Sequence, residues 1–158
     1  MRRMTPDELQ LLRTLLQREP VAALATLHKG DPAVSMVPFA MWPERQVLLL
    51  HVSSLSPHTQ DMQRHPSVSL LVTGQEAETP LALPRVSITG QASTIEPESA
   101  DHAKARSVYL AKLPDAEPLF GFGDFSLVAI APTSFRFVAG FGRAMALVGE
   151  RMAPVWQA

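Results

Sequence analysis

The sequence predicts an α+β protein built mainly of antiparallel strands, roughly seven of them, enough to close a small barrel with helices at its flanks. Three observations carry this. The chain has 158 residues, 46% of them apolar, which fits a single domain over residues 1–158 that can bury a core without metals or disulfides. Its β-rich runs are short and joined by turns. Helical stretches are too few to supply a crossover after each strand, so a parallel βαβ plan is disfavoured.

Thr5-Pro6-Asp7-Glu8 reads as a capping box, with Thr5 as N-cap and Pro6 in the first helical position. Leu9, Leu12, Leu15 and Leu16 recur at helical spacing up to Arg18, and Pro20 ends the run. Residues 21–27, 33–40 and 46–52 then read as a three-stranded meander, with a turn at His28-Lys29-Gly30-Asp31 and a loop around Pro43. Ser56-Pro57 opens a short helix through Arg64 that His65-Pro66 stops. A strand over 68–73 leads into a polar, proline-bearing loop at 74–84, where function-bearing loops are often found. A strand over 85–95, a helix over 98–113 stopped by Pro114, and strands over 126–131 and 134–141 on either side of a turn at Pro132 complete the plan. Met36, Phe39, Met41, Phe135 and Phe137 are expected to pack the barrel or a dimer seam. Trp42 is expected to anchor a loop or to stack near a ligand.

Composition excludes several functions. There is no cysteine, hence no disulfide framework, thiolate metal site or cysteine nucleophile, and redox chemistry would have to come from a cofactor. The formal net charge is −1 and the basic residues are scattered, so no nucleic-acid face is expected. Met1-Arg2-Arg3-Met4 leads straight into the capping box, which predicts neither a signal peptide nor a membrane span and makes the cytoplasm the expected location. The histidines (His28, His51, His58, His65 and His102) show no paired metal-site spacing, although an axial haem ligand needs no motif. No nucleophile elbow is present, and Gly121-Phe122-Gly123 lacks the strand and helix that a dinucleotide fingerprint needs.

The run LLLHVSSLSPHT over residues 48–59, followed by HPSVSLLV over 65–72, resembles the FMN-phosphate region of pyridoxamine 5'-phosphate oxidase-like proteins in order and spacing. The likeness extends to PAVSMVPFA over 32–40, LPRVSITG over 83–90, GFGDF over 121–125 and GFGRA over 140–144. The last two look most like the haem-utilisation branch of that superfamily. The resemblance implies a split β-barrel and a homodimer with FMN between its subunits. By position it implies that Ser35, Met36, Val37, Pro38, Phe39 and Ala40 run along the flavin ring and ribityl chain, with His51 and Val52 closing the other side. Pro57 and His58 stand where the oxidases use Arg-Lys for the phosphate, and Arg85 stands where they use glutamine. Arg143 falls in a region that in the family tends to reach the partner's flavin.

The residues themselves support part of this. A helix N-terminus offers free N–H groups and a positive dipole end, so Ser53, Ser54, Pro57, His58 and Thr59 can form a phosphate cradle, although Ser56-Pro57 equally serves as an ordinary helix cap. Arg85 can bond a phosphate or a flavin carbonyl, or pair with Glu76 or Glu78. Arg143 equally reads as a solvated side chain at a strand end. The first functional expectation is an FMN-dependent oxidoreductase acting on a small-molecule substrate. The alternatives are a haem-binding or haem-degrading protein and a non-enzymatic flavin carrier.

Overall fold

A computed structural model describes residues 3–157; Met1 and Arg2, part of the segment read for signal-peptide character, and Ala158 lie outside them. Helix α1 (Pro6–Arg18) starts at the capping box: Glu8 N donates to Thr5 Oγ1 at 3.1 Å and Thr5 N donates to Glu8 Oε1 at 2.9 Å. Its Leu12, Leu15 and Leu16 face is buried. The strands are β1 (Val21–His28), β2 (Asp31–Pro38), β3 (Ala40–Trp42), β4 (Val47–Ser53), β5 (Ser67–Thr73), β6 (Arg85–Ile95), β7 (Phe125–Val138) and β8 (Ala144–Val148). Helix α2 (Pro57–Arg64) joins β4 to β5, and α3 (His102–Lys112) with a 3-10 segment (Pro114–Gly121) joins β6 to β7.

Every ladder is antiparallel, and the strands run in the order β2-β1-β5-β6-β7-β4-β3, with β8 on β7. The expected meander is not formed. The run at 33–40 breaks into β2 and β3 at Phe39, so β4 pairs with β3 and β7 rather than with β2. The cause is local. Pro38 has no N–H to continue a ladder, Phe39 N donates instead to Pro20 O at 3.2 Å, and the Phe39 ring is completely buried. Since β2 and β3 lie at opposite ends of the strand order, this crossing at Phe39 takes the chain from one sheet edge to the other and closes the split barrel.

Four further expectations are corrected. The segment around Pro132 is one continuous strand with a bulge: the β6–β7 register slips between Thr89 and Gly90, where Gly90 pairs with Pro132. A bulge tolerates a proline that lacks a ladder donor, and a Cβ on Gly90 would lie 2.6 Å from Ala131 O. The strand expected to end at 141 ends at Val138, and β8 was not foreseen. Helix α3 begins at His102 rather than at 98, and Trp42 is a buried strand residue rather than a loop residue.

The inner face of the barrel and α1 share one core that includes Leu24, Val37, Phe39, Leu50, Val52, Ile88, Val128, Phe135 and Phe137. On the outside, α3 and the 3-10 segment cover only the β3–β4 end, through Ala40, Trp42, Leu49, Ala105, Tyr109 and Leu127. Lys112 ties this cover to α1, donating to Leu16 O at 3.2 Å and Glu19 O at 2.7 Å with its ammonium 3.7 Å from the Phe39 ring centroid. Burial pushes the Lys112 ammonium down to about 8, and Glu19 opposes the shift.

If Phe39 is the closing residue, Phe39→Ala should lower stability by about 3–5 kcal/mol, the range for emptying a buried phenylalanine site. Urea denaturation followed by tryptophan fluorescence measures this.

Candidate functional site

Among the described residues no helix lies over the outer face of β2, β1, β5, β6 and β8. Register places Met36 beside Ala23 and Leu71, and Val34 beside Ala25 and Ser69. Met36 is 67% exposed and Val34 is 73% exposed. With Val21, Leu71 and Thr73 they line a cleft of about 390 Å³, which Glu19 and Gln75 border. Farther along the same face, Ser87 pairs with Arg136, which pairs with Ala146. Arg136 alternates with the buried Phe135 and Phe137, which fixes its side chain on the outside. Among the described residues, the charged strand residues on this sheet face are Arg85 and Arg136.

The expected flavin-lining residues divide by strand alternation. Only Met36 and Pro38 of the 35–40 run face outward. Val37 and Phe39 lie in the main core, Ala40 lies in the cluster under α3, and Ser35 Oγ is buried without a partner. Val52 also points into the barrel. His51 points outward but is enclosed by rings: it stacks on Phe120 at 3.7 Å with a 7° interplanar angle, and Tyr109 and Phe125 close its sides. Arg106 lies over Phe120, 5.2 Å from the ring centroid. Burial pushes the His51 imidazole down to about 4, aided by positive charge at His102 and Arg106, so His51 is neutral at pH 7.

The expected phosphate cradle sits at the start of α2 and is acidic rather than basic. Ser53 Oγ donates to Asp124 Oδ2 at 2.7 Å and accepts from Leu55 N at 3.1 Å, so its hydroxyl is already engaged beside a carboxylate. Residues 53–59 contain no Lys or Arg. The His58 imidazole is pushed down by burial, against the pull of Asp61. Asp61 itself is buried, 2.9 Å from His28 Nδ1 and 3.4 Å from the Thr26 hydroxyl. Ser54 and Pro57 are exposed, and Thr59 is buried with Oγ1 unpartnered.

Arg85 and Arg143 lie elsewhere. Ser53 pairs with Phe125 at one end of β7, whereas Arg85 pairs with Val138 at the other, next to the Gly140–Arg143 turn. Arg85 Nη1 donates to Leu81 O at 2.9 Å and Leu83 O at 3.0 Å, so it pins the 74–84 loop instead of pairing with Glu76 or Glu78. One chain therefore unites Arg85 with Arg143 but neither with the cradle. Sequence reading missed Asp124 and Arg136; the Phe-Arg-Phe alternation at 135–137 was the available signal for the latter.

A model of the family described as pyridoxamine 5'-phosphate oxidase matches residues 9–139. The chain belongs to this family. Among curated proteins it is 36% identical over 150 residues to the non-canonical heme oxygenase HOZ of Arabidopsis thaliana, covering 93% of this chain and 45% of that protein. It therefore spans under half the length of that relative. Among solved structures it resembles a heme binding protein from Mycobacterium smegmatis, with a TM-score of 0.83 and 30% identity over 95% of this chain and 61% of that one. HutZ, described as a heme storage protein from Vibrio cholerae, shares the fold with a TM-score of 0.71 and 23% identity, over 83% of this chain and 91% of that one. These oxidase-family neighbours agree with the α+β split barrel and with the haem-utilisation likeness of the GFGDF and GFGRA motifs. Among the described residues no helix is long and apolar enough to cross a membrane.

The caged His51 gives the family fold here a testable acid sensitivity. The unfolded chain takes up the proton near 6.5, the folded one only near 4, so the unfolded state binds more protons between those values and stability falls as pH drops through that window. Denaturation between pH 7 and pH 4 should lose roughly 2–3 kcal/mol through this group. His51→Phe should flatten that part of the profile.

Proposed function

We propose that the protein binds haem as a homodimer, using the uncovered outer face of the sheet. The observation that carries this reading is the pairing of an apolar strand face, bordered by Glu19, with Arg136, a cation for which no protein partner is found among the described residues. Haem, when bound, supplies a flat apolar macrocycle, two carboxylates and an iron. Met36, Val34 and Leu71 offer the apolar contact, and Arg136 offers a guanidinium for a carboxylate. A second copy seated on the same face would cover these residues and shield the ligand from water. The relatives named for haem support the choice. Among the described residues this face presents no imidazole, since His28 is held by Asp61 and His51 is caged by rings. The proposal therefore stops at binding and does not extend to haem breakdown.

The FMN-oxidoreductase reading fits the residues less well. A flavin phosphate is a dianion, and the cradle at 53–59 offers it no Lys or Arg and sets Asp124 beside Ser53. Arg85 could reach a cradle only from another copy of the chain, and its guanidinium is already bonded to two carbonyls.

Titrating purified protein with haemin should produce a saturable Soret band, and Arg136→Ala should weaken binding roughly three- to tenfold, as loss of one partly exposed charge-assisted hydrogen bond would. FMN should separate from the protein on gel filtration. Co-elution of FMN at one equivalent, with no haemin band, would reverse the assignment.

A further inference from the structure

Among the described residues, four buried side-chain polar atoms lack a partner: Ser35 Oγ, Trp42 Nε1, His51 Nδ1 and Thr59 Oγ1. Thr59 is 3% exposed, so its hydroxyl lies out of water with no protein group to bond, a costly arrangement. It shares a cleft with a stretch of backbone in the same condition. Strand β6 outruns its neighbour β5, whose last pair is Ser67 with Gln91, and Ala92 N then donates to Pro66 O at 2.8 Å. Backbone groups of successive strand residues point to the two edges by turns, so the next residue whose N–H and C=O share the edge of Ala92 N is Thr94. β5 does not reach it, and β6 faces β7 on its other edge, with Ser93 opposite Ala129 and Ile95 opposite Leu127. Among the described residues the Thr94 N–H and C=O therefore have no strand partner.

Thr59 and Thr94 line one cleft of about 340 Å³ between α2 and the end of β6, near the lower end of the roughly 300–1,000 Å³ of ligand pockets. Its size suits a single ring. Met62 and Val128 give this cleft apolar surface, and Gln63 and Ser126 give it uncharged polar groups. None of the described residues that line it is charged, so an ion entering it would lose hydration without gaining a counter-charge. The lining thus selects a neutral occupant.

We propose that this cleft binds a small uncharged molecule that joins an apolar ring to a carboxamide or lactam edge. Such an amide sets an N–H donor next to a C=O acceptor, and Thr94 presents the complementary pair, its own C=O and N–H, along one strand edge. The Thr59 hydroxyl bonds the amide lone pair or N–H that Thr94 leaves free. The ring packs on Met62 and Val128. Val128 belongs to the barrel core, and Thr94 lies at the end of β6 away from Arg85, so the site is separate from the outer Val34–Met36 face assigned to haem.

Three related probes test this. Benzamide is neutral and carries the donor–acceptor edge, N,N-dimethylbenzamide lacks the donor, and benzoate carries a charge. In amide-proton NMR spectra of the full chain, millimolar benzamide should shift the Thr94 and Gln63 signals and leave that of Met36, on the face assigned to haem, in place. The other two probes should shift them at least about tenfold more weakly. Thr59→Val keeps the outline of the side chain and removes a hydroxyl that bonds nothing in the protein, so it should fold as the wild type does while weakening the benzamide response roughly three- to tenfold. Unmoved Thr94 and Gln63 signals with benzamide, an equal response to either of the other probes, or an unchanged response in Thr59→Val would overturn the proposal.

Discussion

Phe39 carries the chain from one edge of the sheet to the other, and the rest of the fold is arranged around that crossing. Its buried ring fills the barrel where β2 gives way to β3, and its amide is answered by Pro20 at the end of α1. Lys112 lies against the same ring and holds the α3 cover to α1. The crossing also has a directional consequence. Because β2 stops at Pro38, Val34 and Met36 stay on an edge strand facing outward, while Ala40 and Trp42 turn under α3. One residue thereby separates a covered outer surface from an uncovered one.

The uncovered surface has the character of an interface. Exposed strand faces of monomeric proteins commonly alternate charged residues outward, whereas here alanine, valine, methionine, serine and threonine dominate, and among the described strand residues two arginines carry the charge, with Glu19 at the rim of the cleft. Contiguous exposed apolar surface of this kind marks association or ligand binding. The family neighbours named for haem agree with that use, and the acidic setting of Ser53 argues against a flavin phosphate at α2. The two ends of β7 thus differ in electrostatic character: Asp124 stands at one, and Arg85 and Arg143 gather at the other.

Much of this was legible in the sequence, for definable reasons. The capping box at Thr5, the proline stops at Pro20 and Pro66, and the turn at Lys29-Gly30 are local signals, and the elements they delimit lie where expected. The family likeness likewise spans residues whose order alone carries it. What failed was non-local. Strand periodicity cannot show that Pro38 and Phe39 break one apolar run into two strands on opposite sheet edges, nor that Gly90 and Pro132 meet in a bulge that keeps β7 continuous. The placement of the site residues was non-local in the same way. Sequence position put Val37, Val52 and His51 beside a ligand, but strand alternation and the α3 cover turned those side chains into packing.

The central claim is that the Val34–Met36 face joins two copies and holds the ligand between them. The most direct measurement is sedimentation equilibrium of the wild type and Met36→Glu, each with and without haemin. The account predicts a wild-type dimer that retains haemin, and a Met36→Glu protein that is monomeric, binds haemin weakly and keeps its melting temperature, because Met36 makes no core contact. A Met36→Glu protein that remains dimeric and retains haemin as the wild type does would contradict it.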